Sequence, residues 1–234
     1  MLNRCAKPGV GGLWSTRTPF SKFHITYHDG LEHEVKAYYA RSNHSLPPTT
    51  SSNAIVANPG TGSEEGTYVE HWEPRNVVDE EGSVWVVLTE SQILAADGSV
   101  TSTDVKLFRS DDEGEEFELV ATQFVGGKHG TIQFDPILSR LITAAFIADP
   151  DPLVNNSTRG KIQCRIQSAP GSTSFDDAFD FKLDSGATLY VEDDTFHLVV
   201  DDNLEGTWTL TCRDSVGGIK HYFSTDHGAT WKEA

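Results

Sequence analysis

Apolar residues in this chain come in short runs and almost nowhere at the three-and-four spacing of an amphipathic helix. "FHITY", "SVWVVLTE", "VKLFRS", "LITAAFI", "KIQCRIQ", "ATLYVE", "TFHLVV", "TWTLTC" and "IKHYFS" are rich in β-branched and aromatic side chains. Gly, Asp, Asn, Ser and Pro separate them. Runs of this kind between turn residues predict an all-β chain, as a sandwich, a barrel or a propeller.

Internal repeats choose among the three. In "LFRSDDEGEEF", Ser110, Asp112, Gly114 and Phe117 stand at offsets zero, two, four and seven. In "FSTDHGATW", Ser224, Asp226, Gly228 and Trp231 stand at the same offsets, with Thr230 before the aromatic. "RIQSAPGSTSF" keeps Ser168 and Phe175 but has Pro170 and Ser172 in place of Asp and Gly. These three serines lie 58 and 56 residues apart, and a fainter copy, "YYARSNHSLPP", begins at Ser42, 68 residues before Ser110. Each element has a reason. A short Asp side chain accepts nearby backbone N–H groups and holds a turn closed. Glycine supplies a left-handed backbone angle, and the aromatic buries a large surface as the chain re-enters a strand.

This S-x-D-x-G-x-T-W pattern is the Asp-box, and the chain resembles the bacterial-neuraminidase-repeat proteins, which include sialidases and sortilins. The resemblance implies a β-propeller in which each box joins the third and fourth strands of a blade. The expected fold is therefore all-β and propeller-like, with about four blade-type antiparallel sheets over residues 24–234. Residues 1–23 are set apart as an N-terminal segment. Only "WKEA" remains from the last box aromatic onward, so that segment or a partner chain is expected to close the sheet edge.

Charge narrows the partners. With 35 acidic residues against 18 basic ones the formal charge is -17, which repels phosphate backbones, so nucleic acid is not an expected partner. No stretch approaches the roughly 20 apolar residues of a membrane helix, and the first residues lack the apolar run of a signal peptide. Asn43, Asn155 and Asn156 match glycosylation sequons, read as chance in that context. Cys5, Cys164 and Cys212 have no metal or redox spacing. Cys164 and Cys212 read as buried thiols, with a disulfide between them as the alternative. No cofactor and no metal site are expected: the acidic pairs do not follow a calcium-loop spacing. His24 and His28 lie four residues apart in a strand, roughly 13 Å, too far to share an ion.

Candidate chemistry concentrates in "TYVEHWEPRNVV", residues 67–78. Tyr68, Glu70, His71, Trp72, Glu73 and Arg75 put aromatics beside carboxylates and a cation, the combination that stacks and hydrogen-bonds a sugar. Lys128 and His129 occupy the equivalent place in the next repeat. The resemblance implies that such segments lie on the ligand-binding face. The bland alternative is that Trp72 packs between blades while the charges are solvated.

A sialidase would require an arginine triad, a Tyr–Glu nucleophile pair, an acid–base Asp and a Phe-Arg-Ile-Pro motif. The motif is missing, and no three arginines stand out. The expected function is therefore a non-catalytic structural or adhesive propeller module of a larger assembly. It would be a virion or phage-tail component at an extracellular surface, partnered by other protein chains and contacting host glycans. The alternative is a compact sialidase-like glycoside hydrolase or lyase using axial carboxylates.

Overall fold

The computed structural model describes residues 11–17, 23–29, 36–41, 53–57, 67–94, 96–112, 114–149, 159–201, 206–214 and 218–234. The fainter copy at Ser42, Cys5 and the three sequons lie outside them. Among the described residues the chain is all β, with sixteen strands and no helix. It divides into two compact units, Met1–Val125 and Gly126–Ala234.

The first unit holds two antiparallel meanders. β1 (Gly11–Arg17), β2 (Phe23–Asp29), β3 (Lys36–Arg41) and β4 (Asn53–Ala57) form one, and β5 (Thr67–Val78), β6 (Val84–Leu94), β7 (Val100–Ser110) and β8 (Glu118–Val125) the other. β1 comes from the segment set apart at the N-terminus and is hydrogen-bonded to β2. Val56 of β4 packs with Val84, Val86, Leu88 and Phe108. The β5–β6 turn is tied by Asp79: Oδ1 accepts the N–H groups of Ser83 at 2.9 Å and Glu81 at 3.1 Å, and Oδ2 accepts Trp85 Nε1 at 2.7 Å. Arg109, the residue before Ser110, lies over the Trp85 ring at 4.8 Å and donates to Ser83 Oγ at 3.1 Å. That position serves the blade scaffold.

In the second unit β9 (Gly127–Asp135), β10 (Arg140–Ala148) and β11 (Arg159–Ile166) precede the short β12 (Phe179–Asp180). β13 (Tyr190–Val200), β14 (Trp208–Arg213), β15 (Ile219–Ser224) and β16 (Lys232–Glu233) complete it. β11 joins the two meanders into one sheet, pairing β12 through Gln163–Cys164 and β13 through Arg159–Lys161. The runs "ATLYVE" and "TFHLVV" merge here into one strand, with an irregularity between Glu192 and Phe196. The core gathers Phe146, Ile162, Phe181, Leu198, Trp208, Leu210 and Trp231 around Cys164 and Cys212. Both cysteines are free and buried, so the thiol reading holds and the disulfide does not. Burial, with Asp214 nearby, pushes the Cys212 thiol up to about 12, and burial raises Cys164 as well.

Both sharp turn motifs connect third to fourth strands, at β7–β8 and at β15–β16. Ser110 Oγ donates to Asp112 Oδ1 at 2.6 Å and accepts Gly114 N–H at 2.8 Å. Ser224 Oγ does the same with Asp226 Oδ1 at 2.7 Å and Gly228 N–H at 2.9 Å. Gly114 and Gly228 have φ of 88° and 80°, the left-handed region that side chains resist. The copy at Ser168, lacking Asp and Gly, still bends between β11 and β12 and closes through a Gln167–Phe175 bridge.

Candidate functional site

The segment expected to precede a strand is itself a 12-residue strand, β5, at the edge of its sheet. Its register against β6 shifts between Trp72 and Arg75: Trp72 faces Thr89, Arg75 faces Val87, and two residues, Glu73 and Pro74, stand against Leu88 alone. That is a β-bulge. Glu73 has φ of 49°, where few non-glycine residues sit, and Pro74 is tolerated because a bulge residue owes no ladder bond.

The bulge has a consequence for the side chains. Residues directly opposite across an antiparallel pair share a face. Glu70 opposite Ser91, Trp72 opposite Thr89 and Arg75 opposite Val87 therefore lie on one face, although Arg75 is three positions beyond Trp72. Strict alternation would have put Arg75 on the other. The structure thus brings a carboxylate, a flat aromatic and a guanidinium to one face, and Tyr68, opposite Ile93, joins them. Glu70 and Tyr68 are buried, and Trp72 and Arg75 half-buried. Burial pulls the Arg75 guanidinium below its ordinary value, and the neighbouring charge of Glu73 pushes it back up. Glu73 therefore lies close enough to act electrostatically on Arg75.

His71 lies on the opposite face, across from Glu90. Its Nε2 is 3.2 Å from Glu90 Oε2, while Lys106 Nζ is 2.5 Å from Glu90 Oε1. The hydrogen bond to His71, then those from Lys106, hold the Glu90 carboxyl below the usual Glu range against the opposing effect of desolvation. Sequence reasoning missed Glu90 and Lys106. Only the β5–β6–β7 register connects residues so far apart, and no local motif records it.

Lys128 and His129 fall in the second unit, on β9. They sit at the counterpart of the same bulge: β9 shifts register against β10 between Ala144 and Phe146, leaving His129 and Gly130 opposite Ala145. His129 has φ of 51°, like Glu73 56 residues earlier. Asp135 ends β9 much as Asp79 stands just past β5. Its Oδ1 accepts Ile137 and Leu138 N–H at 2.9 and 3.0 Å, and its Oδ2 lies 3.4 Å from both Trp208 Nε1 and His227 Nδ1. The His227 contact satisfies only a distance, since Nδ1 has no hydrogen-bond geometry toward it. Among the described residues, no group of three His, Cys, Asp or Glu side chains is placed to hold a metal ion.

No protein-family model matches the chain, and no curated protein is similar to it. Solved structures are. A Hadza microbial sialidase superposes with a TM-score of 0.62 at 16% identity, over 97% of this chain and 46% of its own. The NanB sialidase of Streptococcus pneumoniae gives 0.63 at 10% identity, over 96% and 51%. An alpha-L-arabinofuranosidase from Fusarium graminearum, bound to an iminosugar inhibitor, gives 0.64 at 13%, over 96% and 63%. The fold is that of sialidase-like β-propellers. The chain spans less than two thirds of each of these three proteins.

These likenesses correct the functional expectation. A non-catalytic module, an assignment as a non-enzyme and a virion or phage-tail setting were expected; the proteins that share the fold are instead glycoside hydrolases. The error has a physical source. Decayed turn motifs report on how blade edges are finished and say nothing of whether a strand elsewhere carries catalytic carboxylates.

Proposed function

We propose that the chain is a carbohydrate-active propeller that hydrolyses glycosidic bonds, with β5 contributing to its site. The observation that carries this reading is the shared fold with glycoside hydrolases of different sugars over 95–97% of the chain. The bulge of β5 supports it by gathering Glu70, Trp72 and Arg75 on one face beside Glu73. In this reading the Ser-x-Asp-x-Gly hairpins are Asp-boxes, and they scaffold rather than catalyse.

Hydrolysis needs one carboxyl to protonate the departing oxygen and a second to attack the anomeric carbon or to activate water for that attack. Glu70 and Glu73 are the pair assigned here. Glu73 lies close enough to Arg75 to act on it electrostatically, and Trp72 offers a stacking surface to a sugar ring. The test is turnover of a fluorogenic aryl-glycoside panel that includes sialosides, arabinosides and xylosides. Wild type is expected to cleave at least one, and Glu73→Gln to lose on the order of 100-fold or more in kcat. A folded wild-type chain that cleaves none overturns the reading.

A further inference from the structure

The second strands of the meanders are not alike. β6 and β10 are buried on both faces, with no exposed side chain along Val84–Leu88 or Leu141–Phe146. β14 alternates instead: Trp208, Leu210 and Cys212 belong to the core, while Thr209, Thr211 and Arg213 lie on the other face. A strand covered on both sides reads as a continuous apolar run, and a strand with one wet face alternates. The last sheet is thus built to leave one face open.

Directly opposite residues share a face, so the register gives what this face carries. One row crosses four strands, with Arg159 on β11, Glu192 on β13, Arg213 on β14 and Ile219 on β15. Arg159 also lies 4.2 Å over the ring of Tyr190, which is 39% exposed. Lys161, opposite Tyr190, is engaged by Asp180 at 2.8 Å. The next row holds His197, Thr211 and His221. The last runs through Val199, Thr209, Phe223 and Lys232, with Val199 40% and Phe223 37% exposed. In these rows the cations Arg159, Arg213 and Lys232 meet one carboxylate, Glu192. The whole chain has the opposite balance, 35 acidic residues to 18 basic. Asp214 and Asp226, past the ends of β14 and β15, accept turn N–H groups.

We infer that this open face docks an anionic polysaccharide, a chain of sugars bearing carboxylates. The inference rests on the carbohydrate reading above and adds to it the class of polymer. Charges more than about 8 Å away are largely screened at physiological salt, so the sign of the face itself decides what settles on it. The acidic remainder of the molecule keeps the same polymer off other surfaces. A few spaced cations suit one charge per sugar, not the charge every ~1.7 Å of a nucleic-acid duplex. Arginine presents a fork that matches a carboxylate, and Phe223 and Tyr190 offer exposed ring surface to the apolar sides of sugars. From β11 to β15 the face spans about 14 Å across the strands, room for an oligosaccharide and more than one ring needs.

Calorimetric titration of the full chain with polygalacturonate tests this without requiring turnover. Polygalacturonate is expected to bind, more weakly as salt is raised, and neutral dextran is not. The double variant Arg213→Gln with Lys232→Gln should lose roughly tenfold or more in affinity while keeping its melting temperature. Phe223→Ser should also weaken binding, whereas Leu119→Ser, at an exposed position of β8 in the first unit, should not. No binding at low salt overturns the inference, as does equal binding of dextran or an unchanged affinity in the double variant. So does a second copy of the chain on this face, seen by light scattering as a dimer that Phe223→Ser turns into a monomer. The aryl-glycoside panel reads none of these outcomes, so the hydrolase reading stands or falls separately.

Discussion

The β7–β8 hairpin and the β15–β16 hairpin use the same serine, aspartate and glycine, with bonds that match to within 0.1 Å at the serine. They differ beyond the glycine. Asp112 accepts two more backbone N–H groups, from Glu115 at 3.0 Å and Glu116 at 3.1 Å. Asp226 accepts Thr230 twice, the N–H at 2.9 Å on Oδ1 and the hydroxyl at 2.7 Å on Oδ2. Phe117 packs half-buried at the side of its core cluster, whereas Trp231 is fully buried. The Trp231 ring lies 4.6 Å from Phe181, and its Nε1 donates to Gly228 O at 2.9 Å. The fourth strands differ as well: β8 has 8 residues and β16 has 2. A long fourth strand holds itself by pairing. A short one is held by its turn and its anchor, and Trp231 N–H and C=O are both bonded, to Lys182 and Asp184. Trp231 thus anchors this turn within the second unit.

Substitutions should break this contrast unequally. Trp231→Ala removes the anchor and is expected to cost about 3–5 kcal/mol, while Phe117→Ala should cost about 1–2 kcal/mol, both read by denaturant unfolding. Equal losses would mean that the two aromatics do the same job. Gly228→Ala comes next: its φ is 80° and a Cβ would stand 2.4 Å from Trp208 Cζ3, so about 2–3 kcal/mol is expected. Gly82→Ala is the control, with φ of 90° and nothing within 4 Å, and should show backbone strain alone, about 1 kcal/mol.

The transplant Glu116→Thr should sharpen the contrast by giving Asp112 the hydroxyl partner that Asp226 has, a gain of about 0.5 kcal/mol. An unchanged melting temperature would show that the second bond is decorative. The smallest effect lies in the pH dependence. At Asp226, desolvation raises the pKa but is outweighed by bonds from Thr230 and Ser224, leaving it below the ordinary Asp value. A lowered native pKa gives stability that is present above the unfolded value and lost as pH falls through the native one. Thr230→Ala should therefore flatten the fall in melting temperature between pH 5 and pH 3, roughly the span over which such carboxylates titrate. The same acid limb in the variant and in wild type would remove this account of the turn.

Much of this scaffold is legible in the sequence, because its information is local. Turn residues at fixed offsets specify each hairpin, and β-branched runs specify strands such as β6 and β10. The candidate site is only half legible. Glu70, Trp72 and Arg75 stand out by type, but their shared face depends on a bulge, and a bulge is a property of two paired strands. "EPR" inside a strand run is the one local hint, since proline in a strand argues for an edge or a bulge. Glu90 and Lys106 carry no hint at all, because their partnership with His71 exists only through cross-strand register. The functional expectation failed for a related reason: it weighed the hairpins, where the sequence is loud, and took the missing motif as evidence against chemistry.

If the hairpins scaffold and β5 performs chemistry, the two should come apart in a single experiment. Turnover and melting temperature would be measured together for wild type, Glu73→Gln and Asp226→Ala, using whichever aryl glycoside the wild type cleaves. The account predicts that Glu73→Gln loses turnover while keeping its melting temperature. Asp226→Ala should melt earlier and keep its turnover well below that melt. Glu73→Gln cleaving at the wild-type rate, or a folded wild type that cleaves nothing in the panel, would contradict it.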